Sequence, residues 1–271
     1  MRRRSLILGT VLAAEGVLLS RGIPEPALDD LVAWAKAIGR RHGLLIGFGN
    51  PAQFYTPPFG ATDAVIPSCE ADPVVFDNLR PALDGIATSL ALYPPGFIAK
   101  YCRAIFICGN LRCEGVSAGG TYGPAWIILS ANPVFGPGGI HETARLGVHH
   151  EFSSLILARS PALVPRWIAT LPVGWQSIES TRDALLQAGD EGHDGFLSSY
   201  GATSVENDFN TYAETAFGDP ARLVELARTS RTIRQKATLL LGLYISLDER
   251  LNATFRSFGL GELLAESGDH P

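Results

Sequence analysis

Beyond Pro24 and Pro26, the apolar residues Leu28, Leu31, Val32, Ala35 and Ile38 recur at i, i+3, i+4 and i+7, and Gly43 stands where a helix would stop. This spacing predicts a helix over 27–41. The short apolar run 44–48 predicts a strand, and Pro51, Pro57, Pro58, Pro67 and Pro73 then mark a long irregular connection. Pro81 belongs at the start of a helix rather than inside one, so Asn78 is the expected cap of a helix that reaches Leu92 and ends at Tyr93-Pro94-Pro95. Residues 104–108 and 126–130 are the clearest strands, joined through Gly115, Gly119, Gly120 and Gly123. The period then becomes helical, over 141–159, 206–217, 221–228 and a long stretch 233–255 carrying Leu239, Leu240, Leu243, Tyr244, Leu247 and Leu251. Strands first and helices afterwards indicate an α+β fold in one domain over 23–271, with 23–140 as its mixed half and 141–271 as its helical half. A cleft between the halves is the natural place for chemistry.

Residues 1–22 stand apart from this pattern. Arg2-Arg3-Arg4 precedes an apolar run from Ser5 to Leu19, the layout of an export signal, and the Arg-Arg-Ser-Leu-Ile order resembles a twin-arginine signal of a bacterial protein sent to the periplasm or beyond. Glu15 interrupts the run, and the competing reading is an amphipathic helix packed on the domain. The run is too short for a stable membrane span.

Composition narrows the classes further. A chain of 271 residues with 46% apolar and 18% charged residues can bury a substantial core. Acidic residues outnumber basic ones, 27 to 22, for a net charge of -5, which argues against a nucleic-acid partner. Four cysteines, Cys69, Cys102, Cys108 and Cys113, suit an oxidising compartment and allow three pairings into two disulfides. In one of them Cys108 meets Cys113 across a turn at 109–112, leaving Cys102 for Cys69. Buried free thiols and a metal site are the alternatives, the latter without a C-x-x-C pair to support it.

Chemistry concentrates in two segments. The first, Gly147 to Leu157, sets His149, His150 and Glu151 in an otherwise apolar helix. In a zinc hydrolase helix of the H-E-x-x-H type, two histidines four residues apart hold the metal and the intervening Glu polarises its water. His150 and Glu151 fit the first two positions, and Ser154 stands at the second His. The bland alternative is a hydrogen-bonded structural run. The second segment, Phe196 to Phe217, places Tyr200 ahead of a helix whose Phe209, Tyr212, Ala213 and Ala216 form an apolar face. Glu206, Asn210 and Glu214 form a polar stripe on the same helix. Acids near a helix N-terminus are favoured by its dipole, which accounts for Glu206 and Asp208 better than for Glu214. His141 falls in the first turn of the His-Glu helix, and His42, His193 and His270 fall in loops or at termini. Neither a phosphate-binding glycine motif nor a Gly-x-Ser-x-Gly elbow is present.

Taken in order, strand, glycine-rich turn, strand, His-Glu helix, Ser-Tyr-Gly-x-Thr and Phe-x-x-Tyr-Ala-Glu helix, residues 85–260 resemble the zinc-binding metallopeptidases related to the catalytic domain of the anthrax toxin lethal factor. The resemblance implies a zincin-like fold, a small sheet packed on a largely helical C-terminal half. It also implies zinc as cofactor, His150 as a ligand, Glu151 as general base, Tyr200 as the phenol that stabilises the oxyanion, and a third ligand Glu just before the Asp-Phe step. Two positions depart from it: Ser154 replaces a His, and Asn207 occupies the place of the ligand Glu, with Glu206 one residue away. A rebuilt metal site would draw on His149, His150, Glu206 and Glu214, although adjacent helical residues point about 100° apart and His149 and His150 could share an ion only with distortion. Two functions follow as expectations. One is an exported zincin-like metallohydrolase, acting on a peptide or protein substrate through an altered zinc site; the other is a catalytically inactive zincin-like binding or scaffold protein of the cell envelope. An unrelated fold would predict that the 141–159 and 206–217 helices do not meet. No motif fixes an oligomeric state.

Overall fold

The computed structural model describes residues 25–51, 69–132, 138–187 and 192–265. The export segment 1–22, most of the proline-rich connection and His270 lie outside them. The mixed composition of elements is that of an α+β protein. Helix α1 (Glu25–His42) leads into β1 (Leu45–Phe48), and α2 (Phe76–Leu90) returns the chain to β3 (Ala104–Cys108), which pairs with β1 in parallel. Strand β7 (Trp126–Ser130) adds on the other side of β3, also parallel, and β6 (Gly120–Gly123) closes this sheet as an antiparallel edge, in the order β1-β3-β7-β6.

The continuous apolar runs of β3 and β7 follow from burial on both faces. Ile105, Ile107, Ile127 and Leu129 face α1, α2 and the long helix α3 (Gly139–Ala158), within the main core. Ala104, Phe106, Cys108, Trp126 and Ile128 face a second cluster, formed with a smaller antiparallel sheet of β2 (Cys69–Ala71), β4 (Leu111–Cys113) and β5 (Val116–Ala118). Its strand β2 falls within the stretch that the prolines marked as irregular, and β4 and β5 fall within the connection between the two clearest strands. Glu114 and Gly115, both at positive φ, form the two-residue turn between β4 and β5, and Glu114 Oε2 accepts from the Arg182 backbone N–H at 2.9 Å, docking α5 (Thr181–Leu186) beside the sheet.

Helix α3 packs against α2, β6 and β7, and against α6 (Val205–Gly218), so the two helices with the candidate residues do meet. The short α4 (Leu163–Ile168) links α3 to that half, and α7 (Pro220–Thr229), α8 (Arg231–Leu247), α9 (Arg250–Ser257) and α10 (Gly261–Ala265) complete it.

Three sequence expectations are corrected. Pro81 sits inside α2, which starts a turn earlier at Phe76; Asn78 is a helical residue there, and its side-chain amide donates to the Ala131 carbonyl at 3.0 Å instead of capping. The helix expected over 233–255 breaks at Asp248, whose backbone is extended and whose Oδ1 accepts from the Arg250 N–H at 3.2 Å, separating α8 from α9. The disulfide joins Cys69 to Cys113, which are paired across β2 and β4, while Cys102 and Cys108 are buried thiols. The turn after Cys108 leads away to the second sheet: Gly109 N–H donates to Asp72 O at 2.7 Å and Asp72 N–H to Asn110 O at 2.9 Å, so Cys113 lands beside β2. Burial pushes both free thiols up to about 12.

Candidate functional site

A cavity of about 390 Å³ opens where β6, α3, α5, α6 and the disulfide converge, with Tyr122, His150, Glu151, Tyr200 and Glu206 in its wall. A more open groove of about 650 Å³ lies elsewhere, along Val173, His193, Phe196 and Ile233, away from the His-Glu helix.

Rotation along α3 decides which histidine reaches the cavity. His150 lines it. His149, one residue earlier and about 100° around the helix, turns into the core. There its ring stacks on Phe217 with centroids 4.9 Å apart, and Nδ1 and the Tyr93 hydroxyl form a 2.8 Å hydrogen bond. Burial lowers the His149 pKa to about 3, and its Nε2 has no partner among the described residues. His149 is therefore a core residue and no part of the cavity.

His150 is held from two sides. Its Nδ1 lies 3.1 Å from Glu214 Oε2, and its ring stacks on Tyr200 with centroids 5.8 Å apart. Burial opposes the charged imidazole, but the Glu214 hydrogen bond and the charges of Glu151, Glu214 and Glu206 outweigh it and raise the pKa above its ordinary value. Glu214, expected as a metal ligand, is thus the group that orients His150 and leaves Nε2 as the ring nitrogen available to a ligand.

Glu151 is 8% exposed, and burial together with the neighbouring Glu206 and Glu214 pushes its carboxyl up to about 7 against the pull of His150. Gly120 on the edge strand makes the space for it, since an added Cβ would stand 2.6 Å from Glu151 Oε1. Tyr122 and Tyr200 flank the same space. Burial and the charges of Glu151 and Glu206 raise both phenols well above their usual value, with Tyr122 in hydrogen-bond reach of Glu206 and Tyr200 of Asn207.

The two positions that depart from the metallopeptidase pattern are joined to their neighbours. Asn210 Nδ2 donates to Ser154 Oγ at 2.7 Å, and Ser153 Oγ donates to Asn210 Oδ1 at 2.5 Å. Asn207 Nδ2 donates to Thr203 Oγ1 at 2.8 Å, and the Asn207 N–H is capped by Ser204 Oγ at 3.0 Å. A three-ligand zinc site needs deprotonated nitrogen, sulfur or carboxylate donors around one point. Among the described residues no three His, Cys, Asp or Glu side chains are so arranged, and the Ser154 hydroxyl and Asn207 amide are poor donors already engaged with Asn210 and Thr203. The described residues do not fit zinc.

Sequence reasoning missed a second buried polar cluster behind the site. Lys236 Nζ lies 2.7 Å from Asp208 Oδ2 with both side chains fully buried, and Trp167 Nε1 donates to the same oxygen at 2.8 Å. The available signal was a lysine on the apolar stripe that carries Ile233, Leu240 and Tyr244 in α8. The pair ties α8 to α6, the helix that carries Glu206, Asn207, Asn210 and Glu214. Compared with family models, curated proteins and solved structures, the chain has no match.

Proposed function

We propose that this chain is a zincin-like domain of the cell envelope or exterior whose cavity binds peptides without a bound zinc ion. One observation carries the reading: the positions of the second and third expected ligands are Ser154 and Asn207, and both Ser154 and Asn207 are taken up in hydrogen bonds to Asn210 and Thr203. An extended peptide suits the site because β6, which lines the cavity, is the edge of its sheet and keeps one side open among the described residues. The Cys69–Cys113 disulfide favours an oxidising compartment, and no described helix is long and apolar enough to cross a membrane. The test is metal analysis of the purified protein after incubation with zinc, alongside peptide binding. Zinc well below one per chain, an unfolding midpoint unmoved by chelator, and measurable peptide binding are expected. One zinc per chain, lost in His150→Ala, overturns the reading.

Hydrolysis is the second reading, and the His150–Glu214 contact favours it, because a carboxylate holding Nδ1 is how reactive and ligating imidazoles are oriented. Under it Glu151 would take the proton of the attacking water and Tyr200 would donate to the developing oxyanion. Peptide cleavage that is abolished in Glu151→Gln and Tyr200→Phe would establish it.

A further inference from the structure

We infer that the cavity receives an organic cation, a primary ammonium or a guanidinium, between Glu151 and Glu206. The inference rests on the peptide-binding reading and names the chemical group that the peptide must present. Among the described residues the lining contains three glutamates, Glu151, Glu179 and Glu206, and neither lysine nor arginine. An acidic cluster alone would be a solvated patch. Glu151 makes this one different: it is 8% exposed, lines the cavity, and has no hydrogen bond or ion pair among the described residues.

Two nearby groups that could have satisfied it are held elsewhere. His150 is paired with Glu214, and the Asn210 amide donates to Ser154. Gly120 keeps a Cβ out of the space beside the Glu151 carboxylate. A buried carboxylate without a donor is costly, and a ligand ammonium supplies both the countercharge and the N–H groups. A neutral ligand would leave the carboxylate unpaired, and an anion would meet three carboxylates of like sign. A metal ion requires a fixed coordination geometry that the described side chains do not offer. An ammonium or guanidinium requires acceptors at hydrogen-bond distance, which Glu151, Glu206 and the Tyr122 oxygen provide. The cation can come from a lysine or arginine side chain or from a free peptide N-terminus.

Isothermal titration with a series of pentapeptides tests the inference. The peptides are alanine-rich, blocked at both ends, and carry lysine, arginine, norleucine or glutamate at the centre; a fifth is the norleucine peptide with a free N-terminus. The cationic peptides should bind at least about tenfold more tightly than blocked norleucine, and glutamate should bind most weakly. Which cationic peptide binds separates the side-chain source from the terminal one. Glu151→Gln, and independently the half-buried Glu206→Gln, should each reduce the preference severalfold with no loss in unfolding midpoint. Binding by all three cationic peptides no tighter than by blocked norleucine, or a preference that survives both substitutions, overturns the inference and leaves peptide binding standing. No binding by any of the five overturns both.

Discussion

Replacing Lys236 by methionine removes the cation from a fully buried pair and leaves Asp208 with its charge in the core. In the intact protein the ammonium lies 2.7 Å from Asp208 Oδ2, donates to the Gly195 carbonyl at 2.9 Å and sits 4.2 Å from the Phe196 ring centroid. Burial pushes the Asp208 carboxyl up to about 6 and lowers Lys236, each against the attraction of the other, so the pair is close to balanced and depends on both members. Removing one partner of such a pair costs about 3–5 kcal/mol, whereas replacing both by neutral groups of similar shape is often close to neutral. Lys236→Met and Asp208→Leu should therefore each lose about 3–5 kcal/mol. Asp208→Asn with Lys236→Met keeps an acceptor for the Trp167 indole, and the Gly195 carbonyl keeps the Tyr212 hydroxyl at 2.8 Å, so the double variant should lose less than about 2 kcal/mol. Urea unfolding of the wild type and these variants reads the differences directly. Losses below about 1 kcal/mol in both single variants, or a double variant worse than Lys236→Met alone, would refute the reasoning.

Four further outcomes are expected. Because burial lowers the folded-state pKa of His149 to about 3 from 6.5, its contribution to stability is complete well above pH 6.5 and is lost as pH falls toward 3, by about 2 kcal/mol between pH 6.5 and 4.5. The wild type should therefore lose that much more over this interval than Tyr93→Phe/His149→Leu in paired unfolding curves, with the contributions of the other carboxylates cancelling. Gly120→Ala places a methyl 2.6 Å from Glu151 Oε1 and should cost about 1–3 kcal/mol, measured by thermal unfolding, while displacing the carboxylate and weakening peptide binding. Opening the Cys69–Cys113 bond, which spans 44 residues, should cost about 4 kcal/mol in a comparison of oxidised protein with Cys69→Ser/Cys113→Ser. Ser154→His should gain little zinc affinity, whereas Ser154→His/Asn207→Glu, which restores three donors, should bind zinc measurably by titration against a chromophoric chelator.

The periodic elements were readable because one physical cause, burial of one face or both, wrote them. Leu28 to Ile38 in α1 and Phe209 to Ala216 in α6 alternate as their contacts demand. Breaks were less readable where a side chain overrode propensity. Asp248 ends α8 within the helical period expected over 233–255 because its carboxylate accepts from Arg250 and Lys100, and the Arg250 bonds in particular hold it well below the usual carboxylate range. Pro81 is tolerated within α2 because only one helical bond is lost and the helix is otherwise buried on Leu79, Leu83 and Ile86. Cysteine pairing depended on β2, a three-residue strand with no periodicity to announce it. At the site, residue types identified α3 and α6 as the facing helices, but not the roles on them. Choosing between His149 and His150 needed the rotation of α3 relative to β6. Distinguishing an orienting Glu214 from a ligating one needed its distance to a particular ring nitrogen.

From Val148 to Leu157 helix α3 is buried nearly all round, so every polar group there requires a partner whatever the site does. Ser153 and Ser154 find Asn210, and His149 finds Tyr93; these contacts would be needed to keep a central helix in place even in a protein with no activity. Structural need therefore explains most of the polar residues in the His-Glu segment and gives no argument for function. It does not explain Glu151. Here a carboxylate is kept 92% buried at the cavity by a glycine on the edge strand, without a donor among the described residues, beside a histidine already neutralised by Glu214. A leucine or glutamine there would satisfy packing at lower cost, so the glutamate is the residue whose presence calls for a ligand. On the proposed reading the cavity acts through the Glu151 carboxylate and Glu206, the acceptors that would receive the ligand cation.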